Sequence, residues 1–280
     1  IKQDHVVLML HCGSRGTGHQ ICSEYTTRFL TTHKKLNDSL PDKELASAPF
    51  HSKEGQAYYS AMKCAANFAL ANRQVITHRI RETLSKVFKE DAESLGIETV
   101  YDVSHNLAKL EPCILQKKIR ELVVHRKGAT RSYGPGHPAL HKKFQDTGQP
   151  VIVGGSMETG SYLLVGTKHA EEETFGSTLH GSGRTMSRTQ ARNTINGSEL
   201  QQQLLAKGIY VKTNSLTGLA EEAGSAYKDI NTVVDAMELA NISLKVCRLI
   251  PLGNIKGVSK LNFLLVLSVV FVLGMIALLI

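Results

Sequence analysis

The chain has 280 residues, enough for one large domain or two, and 23 Gly against 7 Pro suit a globular helix-and-strand mixture with many tight turns. Lys and Arg number 33 and Asp and Glu 25, a formal net charge of +8 that favours polyanionic partners such as nucleic acid. Five scattered cysteines, Cys12, Cys22, Cys64, Cys113 and Cys247, form no CxxC pair; this argues against a secreted disulfide framework or a zinc ribbon, and for a reducing compartment.

In chain order, Val6 to Leu10 reads as a strand that stops at a glycine-rich turn, His11-Cys12-Gly13-Ser14-Arg15-Gly16-Thr17-Gly18-His19. A helix is expected from about Ile21 to Lys35, then a polar loop from Lys34 to Pro49. The Ala-rich stretch from Ser52 to Phe88 carries apolar residues at helical spacing and predicts one or two long helices. Glu98 to Val103 and Glu121 to His125 are β-rich. Pro150 to Val153 and Ser161 to Gly166 read as strands flanking the turn Gly154-Gly155-Ser156-Met157-Glu158-Thr159-Gly160. A third glycine turn, His180-Gly181-Ser182-Gly183-Arg184, precedes a basic stretch with Arg188 and Arg192. Helical pieces near Ser198 to Lys207 and Asn231 to Ala240 frame a strand at Gly208 to Lys212, and Ser243 to Lys256 is the final globular element. The fold class is α+β, mixed sheets with surrounding helices, with no internal repeat.

The tail from Leu261 to Ile280 differs in kind. From Phe263 onward only Ser268 and Gly274 interrupt its apolar run, and Lys256 and Lys260 stand before it. A helix of roughly 18 apolar residues just crosses a bilayer. Two readings stand side by side: a C-terminal membrane anchor, or a non-native extension following a globular part that ends at Gly257. The division expected is residues 1–257 for the catalytic region and 258–280 for the tail. No signal peptide is visible at the N-terminus, and the immediate entry into a strand from Ile1 reads as a sign that upstream sequence is missing.

Three turns combine closely spaced glycines with His, Ser or Arg. Glycine lets a backbone approach a ligand and aim N–H groups at an anion, and Arg adds a bidentate phosphate contact. One such turn is usually no more than a turn; three in one chain point to a phosphate or nucleotide site. His11, His105 and His180 each stand where a β-rich segment gives way to a loop, a favoured place for functional side chains. Neutral imidazole ligates Mn, Fe or Zn, and it can also act as a nucleophile toward phosphorus. His5, His33, His51, His78, His141 and His169 read as ordinary surface or hydrogen-bonded residues, while His19, His125 and His137 stay open.

The segments LHCGSRGTGHQ, VYDVSHNLAKLE, LVVHRKGATR, PVIVGGSMETGSYLLVGT, TFGSTLHGSGRTMSR, AEEAGSAYKDI and PLGNIKG, taken in order, run from Leu10 to Gly257, so that the likeness covers nearly the whole chain from His5 to Gly257. Together they resemble the RtcB family of GTP- and manganese-dependent RNA ligases. The resemblance implies that His180 attacks the α-phosphorus of GTP and holds GMP as a phosphoramidate. It implies that His11 and His105 are manganese ligands, with two Mn2+ expected in the complete protein. Asn106, Gly154, Gly155, Ser156, Met157, Ser161, Gly181, Ser182 and Gly183 would line the guanylate pocket around His105 and His180. Tyr227 and Lys256 would touch the guanine and its surroundings, and Arg15 and Arg184 the phosphates. The implied reaction joins RNA 3′-phosphate or 2′,3′-cyclic phosphate ends to 5′-hydroxyl ends, in tRNA splicing or RNA repair.

The implied partners are RNA (tRNA halves or other broken RNA), GTP, and activating or ligase-complex proteins. The implied compartment is the cytoplasm, or the nucleus in a eukaryote, with membrane association if the tail is a real anchor. The family's metal site also uses an Asp, a bridging Cys and a His after Asn, all upstream of the segment at His11; Cys12 belongs to the turn motif and does not take the bridging role. With two His ligands alone, manganese affinity should be poor and the isolated chain weakly active or inactive. Glu158 stands where the family motif has glycine, and a carboxylate there is expected to repel the guanylate phosphate or crowd the turn. Two other functions compete with ligation: a metal-dependent phosphoesterase without guanylylation, and an inactive RNA-binding remnant.

Overall fold

The computed structural model of the protein describes residues 2–256 and 274–279. These form two compact units, one of residues 12–98 and one of residues 1–11 with 99–280. Both helices and small mixed sheets are present, in the α+β arrangement expected.

The unit of residues 12–98 is helical. Helix α1, Gly16–Thr32, begins inside the glycine-rich turn, where the Thr17 N–H already bonds the Ser14 carbonyl at 3.2 Å. A short helix α2, Lys34–Asn37, follows. Its last residue is buried and knits the loop beyond it: the Asn37 amide donates to the His33 and Ser47 carbonyls, each at 2.9 Å, and accepts from the Ser47 N–H at 2.8 Å. Helix α3 is a single element, Lys53–Phe88, capped by Ser52, whose hydroxyl accepts from the Gly55 N–H at 3.0 Å. It stops where Lys89 turns left-handed. Its buried face is mostly small, Gly55, Ala65 and Ala69 with Ile76. Tyr58 packs edgewise on Phe29 of α1, ring centroids 5.5 Å apart.

The other unit is built on sheets. The strands are β1 Val6–Leu10, β2 Asn106–Leu115, β3 Lys118–Lys127, β4 Ala129–Arg131, β5 Pro150–Gly154, β6 Ser161–Gly166, β7 Ser177–Leu179, β8 Tyr210–Thr213, β9 Ser243–Lys256 and β10 Gly274–Leu279. The main sheet runs β1-β10-β9-β6-β5, with β8 added in parallel to the far end of β9. Strands β2 and β3 form a hairpin, and β4 pairs with β7. Helices α4 Lys168–Glu173, α5 Arg188–Thr194, α6 Gly197–Ala206, α7 Leu216–Ala220 and α8 Ile230–Leu239 complete it. Polar side chains begin several of them: Asn196 accepts from the Ser198 and Glu199 N–H groups, and Asp229 from those of Asn231 and Thr232.

Two apolar clusters hold this unit. Val151, Val153, Tyr162 and Leu164 of the sheet bury against Ile230 and Val234 of α8. Met157, Leu200, Leu204, Ile209, Val211, Leu219 and Ala223 form the second.

Some expectations needed correction. Glu98 to Val103 forms no strand; Tyr101 is anchored instead by its side chain, its hydroxyl accepting from the Gln149 amide at 2.7 Å and its ring meeting Phe144. Strand β2 was not expected. Its turn places Gln116 and Lys117 at φ 52° and 61°, without the Asn or Gly that marks such hairpins in a sequence. Most of the apolar tail lies outside the described residues, and the part that is described, Gly274–Leu279, is a strand between β1 and β9. Among the described residues no helix is long and apolar enough to cross a membrane.

Candidate functional site

Register delivers three histidines to one place. Ala129 of β4 faces Leu179 of β7, so the residues flanking that pair, Gly128 and His180, emerge side by side. The Gly128 N–H donates to the His105 carbonyl at 3.1 Å, and the Gly128 carbonyl meets Nδ1 of His180 at 2.6 Å. The His105 and His180 rings stack, centroids 4.2 Å apart and 21° from parallel. His11, just after β1, meets His105 edge to face, with the two Nε2 atoms 2.9 Å apart.

That last distance bears on metal binding. Two nitrogen ligands at right angles on one cation, with bonds of about 2.1 Å, stand about 3 Å apart. Burial, then His180, His11 and Lys127, hold the pKa of His105 down to about 4, so its ring is neutral near pH 7, the form that binds metal. The pair therefore fits two neighbouring positions on a transition-metal ion. Among the described residues no group of three or more His, Cys, Asp and Glu side chains is disposed to hold one, so an ion at this pair would need further ligands to complete its sphere.

The second and third glycine turns are sewn together. The Gly154 N–H donates to the His180 carbonyl at 3.1 Å, and the Ser182 N–H to the Gly154 carbonyl at 3.0 Å. Gly183 carries φ 75°, which a side chain would strain, and its carbonyl accepts from the Lys228 N–H at 3.0 Å. Within the Gly154–Gly160 turn three N–H groups are spent internally. Those of Glu158 and Thr159 donate to the Ser156 hydroxyl at 3.2 and 3.1 Å, and that of Ser156 to the Thr159 hydroxyl at 3.1 Å. Ser156 and Ser161 are buried, and the Met157 side chain belongs to the apolar core. The N–H groups of Ser156, Glu158 and Thr159 are thus taken up inside the turn. Glu158, expected to crowd the guanylate, turns its carboxylate to Lys207 and lies against Gly224.

Arg184 does not reach outward as a free phosphate contact. Its guanidinium lies over the Tyr227 ring, 4.7 Å from the centroid, and donates to the Tyr227 hydroxyl at 2.9 Å and the Glu221 carbonyl at 2.7 Å. The Tyr227 hydroxyl donates in turn to Glu222 at 2.8 Å, and Lys256 pairs with the same carboxylate at 3.5 Å. Burial, with Glu222 next, pushes Tyr227 up to about 12. Burial also opposes ionisation of Glu222, but Lys256, the Tyr227 hydroxyl, Arg184 and Arg188 outweigh it and bring that carboxyl below the ordinary range.

The residues named from the sequence therefore fall into two groups. His11, His105, Asn106, Gly154, Gly155, Ser156, Met157, Ser161, His180, Gly181, Ser182, Gly183, Tyr227 and Lys256 all belong to the sheet unit, and backbone bonds link most of their segments directly. Arg15 and Cys12 belong to the helical unit, where the Cys12 sulfur accepts from the Asn72 amide at 3.2 Å. Two participants escaped notice, Glu222 and Gly128. Gly128 sits inside the motif segment LVVHRKGATR, yet only the β4–β7 register reveals its neighbour.

The family model for tRNA-splicing ligase RtcB matches residues 1–257. The tRNA-splicing ligase RtcB of Methanococcus maripaludis is 50% identical over 257 residues, covering 92% of this chain and 54% of the relative. That of Archaeoglobus fulgidus is also 50% identical over 257 residues, covering 92% and 53%, and that of Pyrococcus abyssi is 49% identical over 255, covering 91% and 28%. The chain thus spans about half the length of the curated relatives it matches, or less. With the histidine trio and all three glycine turns inside the matched span, the chain belongs to the RtcB family.

Proposed function

We propose that this chain carries the guanylyl-accepting centre of a GTP- and Mn2+-dependent RNA ligase that joins RNA 3′-phosphate or 2′,3′-cyclic phosphate ends to 5′-hydroxyl ends. The observation that carries the reading is His180 stacked beside the His11–His105 pair, at the head of a glycine turn bonded to a second glycine turn. The Nε2 lone pair of His180 attacks the α-phosphorus of GTP. The N–P bond forms, the P–O bond to pyrophosphate breaks, and GMP remains on the ring. Bound at His11 and His105, manganese would neutralise triphosphate charge and orient it for in-line attack.

Asn106, Gly155, Gly181, Ser182 and Gly183 border the guanylate, and Tyr227 and Lys256 hold the base, kept in place by Arg184 and Glu222. GMP then passes to an RNA 3′-phosphate, and a 5′-hydroxyl displaces it to seal the strand; a cyclic phosphate is opened first. The substrates fitting this chemistry are tRNA halves or other broken RNA, and the net charge of +8 suits a phosphate backbone.

The test is to incubate the chain with α-labelled GTP and saturating Mn2+, then measure acid-labile, alkali-stable label on protein. Weak labelling that vanishes in His180→Ala is the expected result. No His180-dependent label at any Mn2+ concentration overturns the proposal.

A further inference from the structure

Within that guanylylation reading, we infer that Gly128 is the positioning residue of the nucleophile: its carbonyl holds the His180 ring with hydrogen on Nδ1, leaving the Nε2 lone pair directed at phosphorus. A neutral imidazole carries one N–H, and a carbonyl oxygen only accepts. The 2.6 Å contact between His180 Nδ1 and the Gly128 oxygen therefore fixes which nitrogen bears the hydrogen. The other nitrogen is left as the base and nucleophile. As the bond from Nε2 to phosphorus forms, and that from phosphorus to pyrophosphate breaks, the ring gains positive charge. The Nδ1–H then becomes a stronger donor, so the bond to Gly128 tightens on the way to the transition state rather than before it.

The backbone makes the contact specific. Gly128 carries φ 70°, a left-handed conformation that side chains resist. It breaks the run from β3 into β4, and its N–H is tied to the His105 carbonyl at 3.1 Å while its carbonyl faces His180. One residue thus fixes both the nucleophile and the backbone of its stacked neighbour. An alanine methyl at this position would stand 3.5 Å from Cε1 of His180 and 3.8 Å from Nδ1. That is room enough, so the expected damage comes from the backbone leaving the left-handed region and taking the carbonyl with it.

Gly208 supplies the control. Its φ of 78° imposes the same backbone demand, and nothing lies within 4 Å of an added methyl. The first measurement uses the full chain labelled with imidazole-15N histidine, in long-range proton–nitrogen correlation spectra at slightly alkaline pH. The signal of His180 is identified by its loss in His180→Gln. A protonated, pyrrole-type Nδ1 and an unprotonated, pyridine-type Nε2 are expected. The opposite tautomer, or averaging between the two, overturns the inference.

The second measurement is the rate of GMP labelling. Gly128→Ala is expected to slow it by about tenfold or more, as misplaced nucleophiles do, with the two His180 nitrogens now averaging. Gly208→Ala should stay within about twofold of the unaltered chain. Equal losses in both variants overturn the inference. If the unaltered chain takes no label at all, the guanylylation reading fails, and the nitrogen spectra still decide the tautomer by themselves.

Discussion

The helical unit of residues 12–98 and the sheet unit around it in sequence are held by different means. In the helical unit the long helix α3 buries little beyond Gly55, Ala65, Ala69 and Ile76, and Phe68, Leu70, Val75, Val87 and Phe88 are exposed. Its order comes from local periodicity, a Ser52 cap and the loop tied by Asn37. In the sheet unit Val151, Val153, Leu164, Leu219, Ile230 and Val234 are fully buried, and the pairs that bury them come from distant parts of the chain. A nucleophile held to a few tenths of an ångström needs a frame that cannot breathe locally, and interlocked strands supply it.

Substitutions in each unit test how firmly its frame is held. The largest effect is expected at the buried ion pair of β2 and β3, where Arg126 donates to Glu111 at 2.7 Å and also reaches the Phe175 carbonyl and Ser177. Both side chains are about 5% exposed. Glu111→Ala strands a buried guanidinium and should lower unfolding free energy by about 3–5 kcal/mol in urea titration; a loss under about 1 kcal/mol would mean the hairpin is not part of the cooperative frame. Next comes Leu204→Ala in the α6 cluster, expected at about 2–5 kcal/mol, while the same substitution at Leu70, exposed on α3, should cost less than about 0.5 kcal/mol. Equal costs at the two leucines would erase the contrast.

Ser52→Ala removes the cap of α3 and should cost about 1 kcal/mol. Its signature is faster amide exchange confined to the first turns of that helix, with the sheet unit unmoved. Glu222 provides a pH test. Its carboxyl is held below the ordinary 4.5, so the stabilisation it gives is complete above the unfolded-state value and is lost as pH falls through the lower folded one. The stability gap between the protein and Glu222→Gln should therefore be full at pH 7 and shrink in acid below about 4.5. A gap that grows in acid would reverse the assignment. Smallest of all, Arg79→Ala removes an exposed pair with Glu82 at 3.1 Å on α3 and should change stability by less than about 0.5 kcal/mol in the same titration.

Legibility followed the same divide. Helical spacing marked α3, α6 and α8, and apolar runs marked β1, β5 and β6, because each signal lies within a few residues. The hairpin of β2 escaped, since Glu111, buried in β2, has its charge answered by Arg126 of β3, a pairing that no pattern within β2 states. Arg184 was readable as an arginine beside a glycine turn, but its stacking on Tyr227, more than forty residues later, was not.

Local sequence specified helices α1, α3, α6 and α8, strands β1, β3, β5, β6 and β8, the three glycine turns, the order of the motifs and the identity of the histidines. Those are properties of neighbours along the chain. Only the tertiary structure decided that His11 and His105 meet nitrogen to nitrogen, that His180 stacks on His105, and that the Gly128 carbonyl holds its ring. The reason is register: a one-residue slip between β4 and β7 would turn His180 away from Gly128, and no local pattern in either strand states which residue faces which.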